Sequence, residues 1–129
     1  MSEVIFVASS KQFYPQAESI VARLKADGVR VFHPYFHLDQ QSLDSDPDAK
    51  STVTLQHFPE IDECDLLYAL LPRGYIGCSV TIELTYAYAQ GKRVVVSEPP
   101  DEYAVRAMVS ELLPPDEFVA RYGTNAGGR

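Results

Sequence analysis

Apolar and polar positions along the chain alternate between two kinds of segment. The first kind is a short, unbroken apolar run: "EVIFVASS", "VRVFHP", "DLLYALL" and "KRVVVSE". Runs of this kind, closed by small polar residues or proline, predict strands buried on both faces. The second kind repeats at helical spacing. In "YPQAESIVARLKADG", Ala17, Ile20, Val21 and Leu24 share one face and Asp27-Gly28 is the stop. A short helix is predicted over "VTLQHFPEIDEC" and another over "SVTIELTYAYAQ" to Gly91. A further helix is predicted over "DEYAVRAMVSELL", started by Pro99-Pro100-Asp101. "YFHLDQQSLDSDPDAKST" is acidic and aperiodic, which predicts a long loop. The last residues suggest one short element before a flexible "GTNAGGR" end. The expected organisation is therefore a single domain over 1–122 and a tail over 123–129.

Strands alternating with helices imply a parallel sheet with crossover helices. The predicted fold is a doubly wound, flavodoxin-like α/β domain, with four to five parallel strands and helices on both faces. Ligands in such folds sit outside the carboxyl ends of the strands, where strand order reverses. The loops after the first three strands are thus the candidate site. They hold Ser9, Ser10 and Lys11, then His33, Tyr35, Phe36 and His37, then residues 72–79. These loops carry neither the GxxxxGK[ST] phosphate loop nor the GxGxxG dinucleotide turn. They also lack the paired acids of a phosphoacceptor domain, having "ASS" and "LLP" where those would stand.

Charge narrows the partners. The chain of 129 residues carries 11 Lys and Arg against 18 Asp and Glu, for a formal charge of −7. Nucleic acid and anionic membranes need a basic footprint, so neither is expected. A small anion is still compatible, because a few local donors can outweigh net charge at one site. Cys64 and Cys78 fall in apolar segments outside any metal-type spacing, so both are expected as buried, reduced thiols. His33 and His37 are spaced as HxxxH, but Pro34 breaks a helix between them, so neither metal nor cofactor is expected. The N-terminus lacks a basic leader region and no apolar run reaches membrane length, so a cytoplasmic location is expected.

One charge stands out against this background. Glu83 lies in "GYIGCSVTIELTYAYAQGK", a run otherwise small, aromatic or aliphatic. If Ser79 caps the helix, Glu83 falls in its first turns, one step above Ser79. A capping box would need Ser or Thr at position 80, which is Val. Dipole complementation would not explain surroundings this apolar, and a helix buried nearly all round is expected. Burying a lone carboxylate costs several kcal/mol unless it is paired. A functional carboxylate at the mouth of the third strand is the reading that accounts for it.

"CDLLYALL", a glycine-containing turn and "SVTIELTYAYAQGKRVVV" together resemble the nucleoside 2-deoxyribosyltransferase family and its nucleotide N-glycosidase relatives. Asp65, Glu83, Ala87, Ala89, Gly91 and Lys92 carry the resemblance. "VIFVASS" and "IVARLKADGVRVFHP" stand where that family has its first β-α-β unit. The resemblance implies that Glu83 is a nucleophile. It would attack the anomeric carbon, expel the base and form a glycosyl ester that water or a second base resolves, as in retaining glycoside hydrolysis. It also implies pairing of two or more copies through the Glu83 helix.

The chain departs from the family pattern at three positions. Gly77 stands where Asp or Ser is usual, Ile5 where a tyrosine orients the nucleophile, and His57 where an aspartate handles the leaving base. His57 is read as a proton donor to the base, or as a structural or a solvent-facing residue. Tyr75 or Tyr86 could stand in for the tyrosine. The expected substrate-binding set is Ser9, Ser10, Lys11, Tyr35, Arg73, Gly77 and Ser79, with Lys11 and Arg73 as candidates for a 5′-phosphate. Two rival readings of the whole remain: a nucleotide-binding or signalling module that does not turn over its ligand, and an interaction domain built on the Tyr86–Tyr88 helix.

Overall fold

A computed structural model describes residues 3–36 and 46–126 of the chain, with side chains to 123. Its elements run β1 (Val4–Ser9), a 3-10 turn (Lys11–Phe13), α1 (Tyr14–Ala26), β2 (Arg30–Phe32), α2 (Pro47–Glu63) and β3 (Leu66–Leu70). A second 3-10 turn (Pro72–Gly74) follows, then α3 (Cys78–Ala89), β4 (Arg93–Val96), α4 (Tyr103–Arg106), β5 (Glu111–Leu112) and α5 (Pro115–Ala126). All strand pairings are parallel, in the order β2-β1-β3-β4-β5. This is the doubly wound, flavodoxin-like arrangement predicted, with the order reversing between β1 and β3.

The strands divide their side chains between two cores because successive residues point to opposite faces. Ile5, Val7, Leu66, Tyr68, Leu70 and Val95 face α1 and α5. Phe6, Ala8, Leu67, Ala69, Val94 and Val96 face α2, α3 and α4. Burying one such aliphatic or aromatic side chain contributes about 1.5–3 kcal/mol, so continuous apolar runs stabilise the sheet from both sides. Asp65 splices the start of β3 onto β1: its Oδ2 accepts from Val4 N–H at 2.7 Å, and its own N–H donates to Val4 O at 2.7 Å.

Several expectations are corrected. The helix expected over "VTLQHFPEIDEC" begins earlier, at Pro47, inside the expected loop. Asp46 caps it, its side chain accepting from the N–H groups of Asp48 and Ala49, and Pro47 occupies the first turn, where no N–H is missed. Pro59 lies within this helix without ending it. The single helix expected over "DEYAVRAMVSELL" is only one turn, α4, followed by the edge strand β5. The last helix extends through Ala126, and Gly123 packs so tightly on α1 that a Cβ there would meet Asp27 Oδ2 at 2.6 Å. Cys64 is buried as expected, whereas Cys78 is exposed at the start of α3. His37 and the rest of 37–45 lie outside the described residues. Among the described residues no helix is long and apolar enough to cross a membrane.

Candidate functional site

The reversal between β1 and β3 opens a cleft of about 230 Å³ at the carboxyl ends of these strands. Ser9, Ser10 and Lys11 line it from the end of β1. Tyr75, Gly77, Cys78, Ser79 and Val80 line it from the turn after β3 and the start of α3. Five of the predicted site residues thus come together: Ser9, Ser10, Lys11, Gly77 and Ser79. Lys50 joins them from α2, giving two ammonium groups among the described lining residues. Lys50 falls in the segment expected as a long loop. The signal that places it is the Asp46-Pro47 helix start.

The start of α3 also differs from the expected one. Its cap is Gly77, not Ser79, and no side chain bonds to its first-turn N–H groups from that cap. Gly77 O accepts from both Thr81 N–H (3.0 Å) and Thr81 Oγ1–H (2.8 Å). With Cys78 as the first helical residue, Glu83 is in the second turn. The dipole acts mainly within the first turn, so it contributes little there. The helix is not buried all round either. Val80, Glu83, Leu84 and Ala87 are buried, whereas Ile82 and Tyr88 are exposed at 38% and 53%.

The partner of Glu83 is His57. Both residues are buried, and the imidazole Nδ1 bonds Glu83 Oε2 across the α2–α3 contact. Phe6 packs edge-on against the imidazole with centroids 5.4 Å apart, and the half-exposed Tyr35 ring lies 6.4 Å from it. The solvent-facing reading of His57 is therefore overturned. Burial opposes its charged form, but the Glu83 hydrogen bond and the charges of Glu83 and Glu60 more than offset this and raise its pKa. Glu60, one turn further along α2, has its own pKa raised by burial and by Glu83 and Glu63, with His57 opposing. Two atoms here are buried without a hydrogen-bond partner among the described residues, His57 Nε2 and Glu60 Oε1. Each such atom costs about 1–3 kcal/mol if left unsatisfied.

The remaining candidates are placed as follows. Ile5 faces the α1–α5 core, and on the Glu83 side of the sheet β1 presents Phe6 and Ala8 instead. Tyr86 is bound to the Asp62 carboxylate at 2.8 and 3.0 Å, and Tyr75 packs edge-on against Phe13 in the cleft wall. Arg73 is not among the cleft residues. It sits in the 3-10 turn after β3 at φ +57°, its N–H donating to Glu98 Oε2 at 3.0 Å. His33 is engaged by its neighbours, with Nδ1 2.8 Å from Pro34 O and Nε2 3.1 Å from Lys25 Nζ. Its ring stacks on Phe36, which in turn contacts Tyr14, a residue that lines the cleft. Among the described residues, no group of three or more His, Cys, Asp or Glu side chains is arranged to hold a metal ion.

No protein-family model matches the chain, and no curated protein matches it in sequence. Solved structures do match in fold. A conserved protein from Enterococcus faecalis V583 superposes with a TM-score of 0.63 at 16% identity, over 94% of this chain and 99% of that one. A 2-deoxyribosyltransferase from the psychrotolerant Bacillus psychrosaccharolyticus gives a TM-score of 0.60 at 17% identity, over 89% of each chain. An NADH:FMN oxidoreductase in its apo form gives 0.52 at 15% identity, over 97% of this chain and 82% of that one. Identities this low establish a shared fold. That fold carries glycosyl transfer in one neighbour and flavin chemistry in another, so function has to be argued from the site.

Proposed function

We propose that the protein breaks or transfers the N-glycosidic bond of a nucleoside or nucleoside 5′-monophosphate, with Glu83 as nucleophile. The observation that carries this reading is the buried pair of Glu83 on α3 and His57 on α2, α3 being the helix whose first turn forms one wall of the cleft. A core carboxylate needs a reason, and a retaining reaction at an anomeric carbon supplies one. The Glu83 oxygen would bond C1′ while the C1′–N bond breaks and the base departs with the electron pair. Once Glu83 is an ester it no longer carries the charge that holds the imidazolium proton. His57 can then give that proton up toward the departing base and recover one from the attacking water or acceptor.

The cleft supports a phosphate-bearing substrate. Lys11 and Lys50 supply positive charge, and Ser9, Ser10 and Ser79 supply hydroxyls beside the uncapped start of α3. Its volume is below the roughly 300–1,000 Å³ of a drug-sized ligand site, which suits one portion of a nucleotide, the sugar phosphate. The exposed Ile82 and Tyr88 on the outer face of α3 suit pairing with a second copy, and a cytoplasmic setting accords with free thiols at Cys64 and Cys78.

The test is a panel of nucleosides and 5′-monophosphates, with released base measured by chromatography. Wild type should release base and Glu83→Gln should not. A second reading, ligand binding without turnover, is favoured by one observation: Glu83 is only 4% exposed and already bonded. It prevails if no member of the panel turns over while one still raises the melting temperature.

A further inference from the structure

The Glu83–His57 pair leaves a second pair of atoms to explain. His57 Nδ1 is used by Glu83, and Nε2 is buried with no partner among the described residues. Glu60 Oε1 is buried in the same condition. The two residues are three apart on α2, a spacing that puts side chains on one face of a helix. One is a potential donor and the other an acceptor, and they do not bond each other directly, so one bridging water would satisfy both at once.

We infer that Glu60 is a positioning residue: it closes a carboxylate–imidazole–carboxylate relay, Glu60···His57···Glu83, that keeps both imidazole nitrogens protonated and locks the ring against Glu83. The relay rests on two buried, unpartnered atoms three residues apart on α2, and its role in catalysis rests on the function proposed above. Glu83 alone would fix one end of the ring. Glu60 fixes the other, so the imidazole cannot flip and Glu83 keeps one orientation. The remaining groups around the ring do not compete for its protons as carboxylates. Phe6 packs from β1, and Tyr35 lies beside it from the segment after β2. Asp62 on α2 is bound to Tyr86 of α3, and Glu63 acts on Glu60 and pairs with Arg30. The direction of the His57 shift, upward with Glu60 among its causes, agrees with the relay.

The experiment is a long-range ¹H–¹⁵N titration of the histidine side chains in the full chain, with the His57 signal assigned from His57→Gln. At pH 7 both ring nitrogens of His57 should carry protons, with Nε2–H exchanging slowly. Glu60→Gln, which keeps an acceptor and removes the charge, should move the His57 titration to lower pH. A wild-type Nε2 without a proton at pH 7 overturns the relay with no variant needed, and so does a His57 titration unmoved in Glu60→Gln. In base release, the alkaline limb of the pH profile should move to lower pH in Glu60→Gln and partly return in Glu60→Asp. Loss by the same factor at every pH would overturn the positioning role. If wild type releases no base from any nucleoside, the proposed function fails while the titration still decides the relay.

Discussion

Glu83 and His57 are almost withdrawn from water, with side-chain exposures of 5% and 7%, so neither charge can be removed without consequence for the other. Truncating one partner of a buried pair leaves the second unpaired and costs about 3–5 kcal/mol. Glu83→Ala should therefore lower stability by an amount of that order in a urea titration. Glu83→Gln keeps the shape and an acceptor, should cost much less stability, and should still reduce base release by roughly 10³-fold or more. Stability should also depend on pH through His57. Its pKa is raised in the folded protein above the ordinary value near 6.5, so its contribution is complete below that value and is lost as pH rises through the folded one. Glu60, also raised, acts in the same direction from its own ordinary value near 4.5. The melting temperature should fall as pH rises above about 6.5, and the fall should be shallower in His57→Gln. At this scale Glu83 was legible because a charge in an apolar helical run has few explanations. His57 could be reached only by counting along a family pattern, which located the residue but not its partner. Glu60 gave no signal, since its relevance depends on how α2 lies against α3.

The turn after β3 shows how one element sets the geometry of the next. Leu71 N–H donates to Ser97 Oγ at 2.8 Å, Arg73 N–H to Glu98 Oε2, and Asp101 N–H to Gly74 O at 2.8 Å. These bonds tie the segment leading to α3 onto the loop after β4. Gly74 has φ +81°, and a Cβ there would lie 2.6 Å from Asp101 Oδ1 and 2.7 Å from Pro99 O. Gly91 shares the positive φ, at +78°, but nothing lies within 4 Å of its Cβ position. Gly91→Ala should cost about 1 kcal/mol, the penalty of the left-handed region alone. Gly74→Ala should cost clearly more, about 2–4 kcal/mol, because the backbone strain adds to a clash with another loop. Chemical denaturation of the two variants side by side checks the difference. The strands were legible as unbroken apolar runs, since burial on both faces leaves no alternation to misread. The start of α2 was missed despite an Asp-Pro signature, because the acidic run around it looks solvated. The short α4 and β5 were read as one helix because their apolar spacing is helical, while Ser110 Oγ and Val94 draw the chain to the sheet edge.

For the molecule as a whole, the unanswered term is the outer face of α3. A helix packed on a sheet normally turns its polar side to water, yet α3 presents Ile82 and Tyr88 there, with Thr85 and Ala89 between and beside them. Scattered exposed apolar residues need no explanation, but these follow one another along a single helix face. The net charge of −7 opposes self-association through most of the surface. This face carries no charged residue: Glu83, the sole carboxylate of α3, points inward to His57. If two copies pair here, each supplies the helix that bears its own Glu83, and association would stiffen α3 against the cleft. Light scattering should then give twice the 14.4 kDa of one chain. Tyr88→Glu and Ile82→Glu together should return the monomer mass without unfolding it, since both side chains already face water in the single chain. A wild-type mass of 14.4 kDa at the highest soluble concentration would show instead that this face stays uncovered.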